Sequence, residues 1–192
     1  MALLNKSDVR QAGRIESNEF DEEIDRLINI VTARAERYLA RRLTLATWTE
    51  YHDGGGDRVV VNNAPWTAVS SLVEGYPNNT RTITVSGNVR TEDEHKTAGE
   101  VILYNNEATF AAGEAGVKVI YTGGYTDSNV PYDLQRALIQ QVLFELQHYD
   151  RIGIKDQSAD GVSVTYDMMP SGFTLEVQRV LDGYRNLWRV VV

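Results

Sequence analysis

Glu145 and His148 form an E-x-x-H pair on what reads as one helix. Two such helices plus further carboxylates make a carboxylate-bridged di-metal bundle. This chain has three histidines and no second pair, so a solvated or interfacial His148 is the expectation. The stretch HDGGGD places His52, Asp53 and Asp57 around three glycines. The calcium pattern D-x-D-x-D-G is absent, and a hairpin loop between TWTEY and RVVV is the expected role. Asp53, Asp57, Glu92, Asp93 and Glu94 could supply the acid and base of a glycosidase. They fall in loop-like sequence, with nothing to hold one carboxylate against another.

The stretch YTGGYTDSNVPYDLQRAL, Tyr121 to Leu138, runs from strand pattern through a glycine pair into a helix. That order can cradle a phosphate. Neither G-x-G-x-x-G nor G-x-x-x-x-G-K-S/T occurs, and Pro131 removes one of the N–H groups an anion would use. The expectation is a turn with Gly123 or Gly124 at positive φ. No G-x-S-x-G elbow is present and there is no cysteine, so a serine-hydrolase elbow, a thiolate metal site and a disulfide framework are all excluded. No catalytic, cofactor or metal constellation emerges.

The elements around these residues are legible from periodicity. SDVRQAGRI suggests a short first helix with Ser7 as N-cap. A longer one follows NEFDEE, with Ile24, Leu27, Ile28, Val31, Ala35, Tyr38 and Leu39 on one stripe. Asp21, Glu22 and Glu23 open it, and Arg37, Arg41 and Arg42 close it, in the sense the helix dipole favours. From Leu43 to Thr122 the composition shifts to Thr, Val, Tyr and Trp. Strands are expected near LTLATWTEY, RVVV, AVSSLVE, RTITVSG, EVILY and VKVIYTG, forming a small antiparallel sheet. A second main helix starts at Pro131 as its first residue and runs to about Tyr149. Leu134, Ala137, Leu138, Val142, Leu146 and Tyr149 line one face, while Ile139, Leu143 and Phe144 widen it beyond what one neighbour covers. A polar connection over 152–172 carries a strand pattern at VSVTY. The last helix holds Val177, Val180, Leu181, Tyr184, Leu187 and Trp188, with Gly183 inside the pattern as a site of close backbone approach. The fold class is α+β: three main helices form a helical core over 5–42 and 129–189. A β-rich insertion over 43–122 lies between the first and second of them, within one domain.

The net charge of -8 and pI near 4.9 argue against clamping nucleic acid through a basic surface. DNA sliding past such a surface is still allowed. No apolar run approaches the ~20 residues that cross a bilayer, and MALLNKSDVR lacks a signal-peptide core, so synthesis in the cytoplasm and no membrane partner are expected. Arg34, Arg37 and Arg41 share a helix face at spacings of three and four. They read as a solvated face or, as self-assembly candidates, as a contact to an acidic neighbour or to DNA. The over-apolar second helix marks Ile139 and Leu143 as self-assembly candidates.

AERYLARRL, VIYTGGYTDSNVPYDLQRAL and the late LDGYR, in that order, resemble the head–tail connector (adaptor) family of long-tailed bacteriophages and gene transfer agents. The anchors span about Phe20 to Arg189. The long β section departs from the nearly all-helical small members and is similar to larger members with a β insertion. The resemblance implies a non-enzymatic virion protein at the head–tail junction, assembled in a bacterial host. It would form a homo-oligomeric, dodecameric ring under the portal, joined to the next neck, stopper or tail protein, with the genome passing through its lumen. On that reading the C-terminal segment Trp188, Arg189, Val190, Val191 and Val192 is the portal-docking candidate, as an added strand, and the 152–172 connection is mobile until assembly. The rival from another class is a ligand- or carbohydrate-binding module stacking its ligand on Trp48, Tyr51, Trp66 and Tyr76.

Overall fold

A computed structural model describes residues 3–104, 109–148, 156–159, 162–165 and 170–185. The chain divides into two compact units, Met1–Ala40 with Thr126–Val192, and Arg41–Tyr125. The sequence reading put the change of texture at 43 and 122.

The first unit is helical. α1 (Lys6–Gly13) is capped by Asn5, whose side chain accepts from Ser7 N–H. Ser7 was expected in that role; the cap lies two residues earlier. α2 (Asp21–Leu39) carries its acids in the first turn and buries Ile24, Leu27, Ile28, Val31, Ala35 and Leu39. Burying each of the larger side chains contributes about 1.5–3 kcal/mol. A left-handed Ala40 (φ 53°) ends it, its N–H meeting the carbonyls of Glu36 and Arg37. Arg41 therefore lies beyond the helix, and the expected three-arginine face does not exist.

Further along the same unit, α4 (Tyr132–Gln147) begins one residue after the expected start. Pro131, with ψ 135°, is its N-cap, because an extended proline delivers the chain to the first turn. Leu134, Leu138 and Val142 are completely buried, and α4 packs against α1, α2 and α5 (Leu175–Gly183). Thr174 caps α5, which buries Val177 and Leu181. The expected close approach at Gly183 is not found: among the described residues nothing lies within 4 Å of a Cβ placed there. β7 (Asp156–Ala159) and β8 (Val162–Thr165) pair as an antiparallel ribbon, with β8 at the VSVTY pattern.

In the second unit, β1 (Ala46–His52), β3 (Trp66–Glu74), β4 (Arg81–Ile83) and β6 (Val117–Gly123) form a sheet in the order β1-β6-β3-β4, antiparallel throughout. β2 (Arg58–Val60) and β5 (Glu100–Ile102) make a second ribbon. Val59 and Val101 from the ribbon join Leu72, Val117, Val119 and Tyr121 from the sheet in one core. Two sheets thus replace the single one expected. The HDGGGD segment is not a hairpin, because β1 and β2 lie in different sheets, each paired with a strand far along the chain. Asp93 and Glu94, expected in a loop, open a short α3 (Asp93–Ala98).

Five helices are described, of 8, 19, 6, 16 and 9 residues. Length does not separate three main ones, since α5 is barely longer than α1. The class is α+β.

The Gly123–Gly124 pair is architectural. Gly124 takes φ 111°, and a Cβ there would meet the Thr44 carbonyl oxygen at 2.6 Å; at Gly123 it would meet that of Asn63 at 2.3 Å. Only glycine permits both approaches.

Candidate interaction surfaces

Arg34, whose spacing allows a solvated face or a contact to an acidic neighbour, meets an acid of its own chain and clamps the helical unit. Its guanidinium pairs with Glu145 and donates to the Gly172 carbonyl at 2.9 Å, with the Phe173 ring 5.7 Å away. Gln141, completely buried on α4, donates to Glu145 at 2.9 Å and to the Gly172 carbonyl at 3.3 Å. Its oxygen accepts from Thr174 N–H at 3.1 Å. These five side-chain and backbone partners hold the entry to α5 against α2 and α4. Glu145 is thereby committed to Arg34. His148 stacks on Phe144 with ring centroids 4.3 Å apart, and its Nδ1 lies 2.6 Å from the Phe144 carbonyl oxygen. The E-x-x-H pair is divided between two structural tasks. Arg37 is exposed, while Arg41, in the β unit, donates to the Ala64 carbonyl at 2.9 Å.

The outward side of α4 is different in kind. Tyr132, Arg136, Gln140 and Leu143 recur at helical spacing, and with Ala12 of α1 and Ile139 they line an open groove. Tyr132 is 89% exposed. Ile139 is only 8% exposed and so belongs to the floor, whereas Leu143 is half-buried beside Gly13. The structure thus brings Ile139 and Leu143 together in one groove, while Arg34 of the same unit is taken up by Glu145 and Gly172. Tyr132 and Arg136 were not singled out from sequence, although the same helical spacing carries them. The C-terminal candidates Trp188 to Val192 lie outside the described residues, as do 152–155, 160–161 and 166–169 of the 152–172 connection.

In the β unit one carboxylate gathers five donors. Glu50 Oε1 accepts from the Tyr121 hydroxyl at 2.6 Å and Asn63 Nδ2 at 3.1 Å. Its Oε2 accepts from Asn62 N–H and Nδ2, both at 2.9 Å, and lies 3.1 Å from His52 Nε2. Burial alone would push the Glu50 carboxyl up; the bonds from His52, Tyr121 and Asn62 outweigh it and hold it below the ordinary 4.5. Burial, then the bond to Glu50, pushes the Tyr121 phenol well up. The cluster ties the segment between β2 and β3 to β1 and β6. His52 therefore serves Glu50, Asp53 accepts from Ala115 N–H at 2.7 Å, and Asp57 pairs with Arg58.

Of the four aromatics that could stack on a ligand, Trp66 is 2% exposed with Nε1 donating to the Glu100 carbonyl. Trp48 packs on the same core and donates to the Gly123 carbonyl. Only Tyr51 and Tyr76 stay open, their centroids 5.0 Å apart, with Lys118 Nζ 5.8 Å from the Tyr76 ring.

Against known proteins, residues 2–187 match the model of the head completion protein family. The chain belongs to the head completion protein family. That makes it a structural protein of the phage head–neck region. Among solved structures, the family's fold recurs in a chain from the neck of an empty gene transfer agent (GTA) particle computed with C6 symmetry. The identity is 17%, 96% of this chain and 90% of that one are covered, and the TM-score is 0.59. A chain from the virion of a native GTA particle is similar over the same shares, at 17% identity and a TM-score of 0.58. One from the neck of a native GTA particle computed with C12 symmetry covers 96% and 92% of the two chains, at 17% identity and a TM-score of 0.54. No curated protein matches. Among the described residues of this family member, no helix is long and apolar enough to cross a membrane.

Proposed function

We propose that this head completion protein is a non-enzymatic connector at the head–tail junction of a phage or phage-derived particle. It forms a ring on the portal of the filled head, presents the surface on which the next neck or tail component assembles, and leaves an axial path for DNA. The observation that carries this reading is the family match across nearly the whole chain. A ring accords with the C6 and C12 symmetries of the necks it resembles in fold. The chain's own chemistry is consistent with a scaffold: Arg34, Glu145, Gln141, Glu50 and His52 are all engaged in holding elements together. The acidic balance, net -8, suits a channel wall that must not retain a polyanion. The C-terminal residues 188–192 are the proposed attachment to the portal.

The test is tail joining. Particles from a producer lacking this chain are expected to contain packaged heads without tails, and purified chain added to those heads should restore joining. Normal tailed particles in its absence would refute the reading.

A further inference from the structure

A ring requires two different patches on each subunit, one fitting the other on the next copy. The groove on the outer side of α4 is one such patch. Its floor is apolar, its rim carries the open Tyr132 ring, and the exposed Arg136 has no acidic partner among the described residues. The complementary features sit at the start of α2. Phe20, the residue before the first helical turn, is 46% exposed. Glu19 and Glu22 flank it, both exposed and without an ion pair among the described residues, while Asp21 and Glu23 are occupied by Lys6, Arg10 and Arg26.

α1 stands between the two patches. Lys6 and Arg10 face the start of α2. Asp8 accepts from Gln135 of α4 at 3.2 Å, and Gly13 abuts Leu143. Lys6 and Asp8, about 200° apart around α1, reach the start of α2 and α4 respectively. α1 is thus wedged between the helix that carries the knob and the helix that carries the groove. A second copy of the chain brings an acidic knob of matching charge to the groove.

We propose that subunits associate head to tail by inserting Phe20 of one copy into the α1–α4 groove of the next, with Glu19 and Glu22 against Arg136. This rests on the ring reading above and names its contact. The aromatic ring covers the half-buried Leu143 and meets Tyr132. The opposite charges set register and disfavour the reversed, knob-to-knob pairing, which would bring acids together.

The chain has no cysteine, so introduced ones report cleanly. A disulfide forms only when the two Cα atoms come within about 7 Å. In particles from a producer carrying the double variant Glu22→Cys with Arg136→Cys, mild oxidation should give a ladder of covalent multimers, and each single variant should give none. Particles that contain the chain but yield no ladder, or Glu22→Cys chains that link to one another, overturn the contact and leave the ring reading intact. Particles that lack the chain altogether overturn the ring reading itself. Charge reversal supplies a second readout. Arg136→Glu and Glu22→Arg should each cut incorporation about tenfold or more, and the two together in one chain should recover most of it. Undiminished incorporation of both single variants would also overturn the contact.

Discussion

Replacing Glu50 by Gln keeps the shape of the side chain and removes its charge. Whichever way the amide is turned, its NH2 faces at least two donors, Tyr121 and Asn63 on one side or Asn62 and His52 on the other. The side chain is 11% exposed, so water replaces those bonds poorly. A hydrogen bond to a charged acceptor contributes about 1.5–3 kcal/mol. Losing two, with partial relaxation of the asparagines, should cost about 2–4 kcal/mol. For a chain of this length that lowers the transition by roughly 5–15 °C. Tyr121→Phe should cost about 1–2 kcal/mol, and the double variant less than the sum of the two. Urea titration followed by tryptophan fluorescence suits the measurement, because Trp48 and Trp66 both lie in the β unit; Trp188→Phe removes the third tryptophan. The pH profile adds a sign. A carboxyl held below 4.5 in the folded protein contributes stability that is present above that value and lost as the pH falls through the folded one. The Gln variant should lose that acid-side slope. A stability within about 0.5 kcal/mol of the parent, or an unchanged slope below pH 4.5, would refute the assignment of Glu50 as the keystone of this cluster.

Gln141→Leu should destabilise the helical unit by about 1–3 kcal/mol, because Thr174 N–H loses its buried acceptor. The loss should appear as faster amide exchange in α5 at unchanged protection of the β strands. Gly124→Ala forces a side chain into φ 111° and against the Thr44 carbonyl, and should lower the thermal midpoint of the β unit by an amount matching at least ~1 kcal/mol. Gly183→Ala meets nothing within 4 Å among the described residues and should raise stability by about 0.5 kcal/mol through helix propensity alone; a loss there would reveal a neighbour. Deleting residues 189–192 should leave the thermal midpoint unchanged while abolishing attachment to packaged heads, if that tail is the portal contact.

What could be read from sequence was local. α2 announces itself through its acidic first turn and one apolar stripe, and β6 through strict alternation before a glycine pair that nothing larger could replace. What could not be read depends on partners far along the chain. HDGGGD reads as a hairpin because adjacent strands usually pair, but β1 pairs with β6 and β2 with β5. Glu50 looks like a solvent-facing strand residue, since Asn62, Asn63 and Tyr121 reach it only once the sheet has closed. Arg34 fits an exposed stripe by spacing, yet its partners Glu145 and Gly172 arrive from the other end of the chain. Ile139 and Leu143 were legible as an over-wide apolar face; that Ile139 is floor and Leu143 lies toward the rim required α1 beside them. Phe20 falls in register with Ile24 and Leu27 and so reads as one more core position, yet as the residue before the first helical turn it is left 46% exposed.

The central claim is position: this chain at the junction of head and tail. A small tag on Arg37, exposed on α2 and outside both proposed contact patches, would mark it in images of assembled particles. Rotationally averaged images of the neck should show one ring of tag density between the portal and the first tail component, and none elsewhere on the particle. Tag density on the capsid shell or at the distal tail tip, or particles free of the tag, would contradict the account.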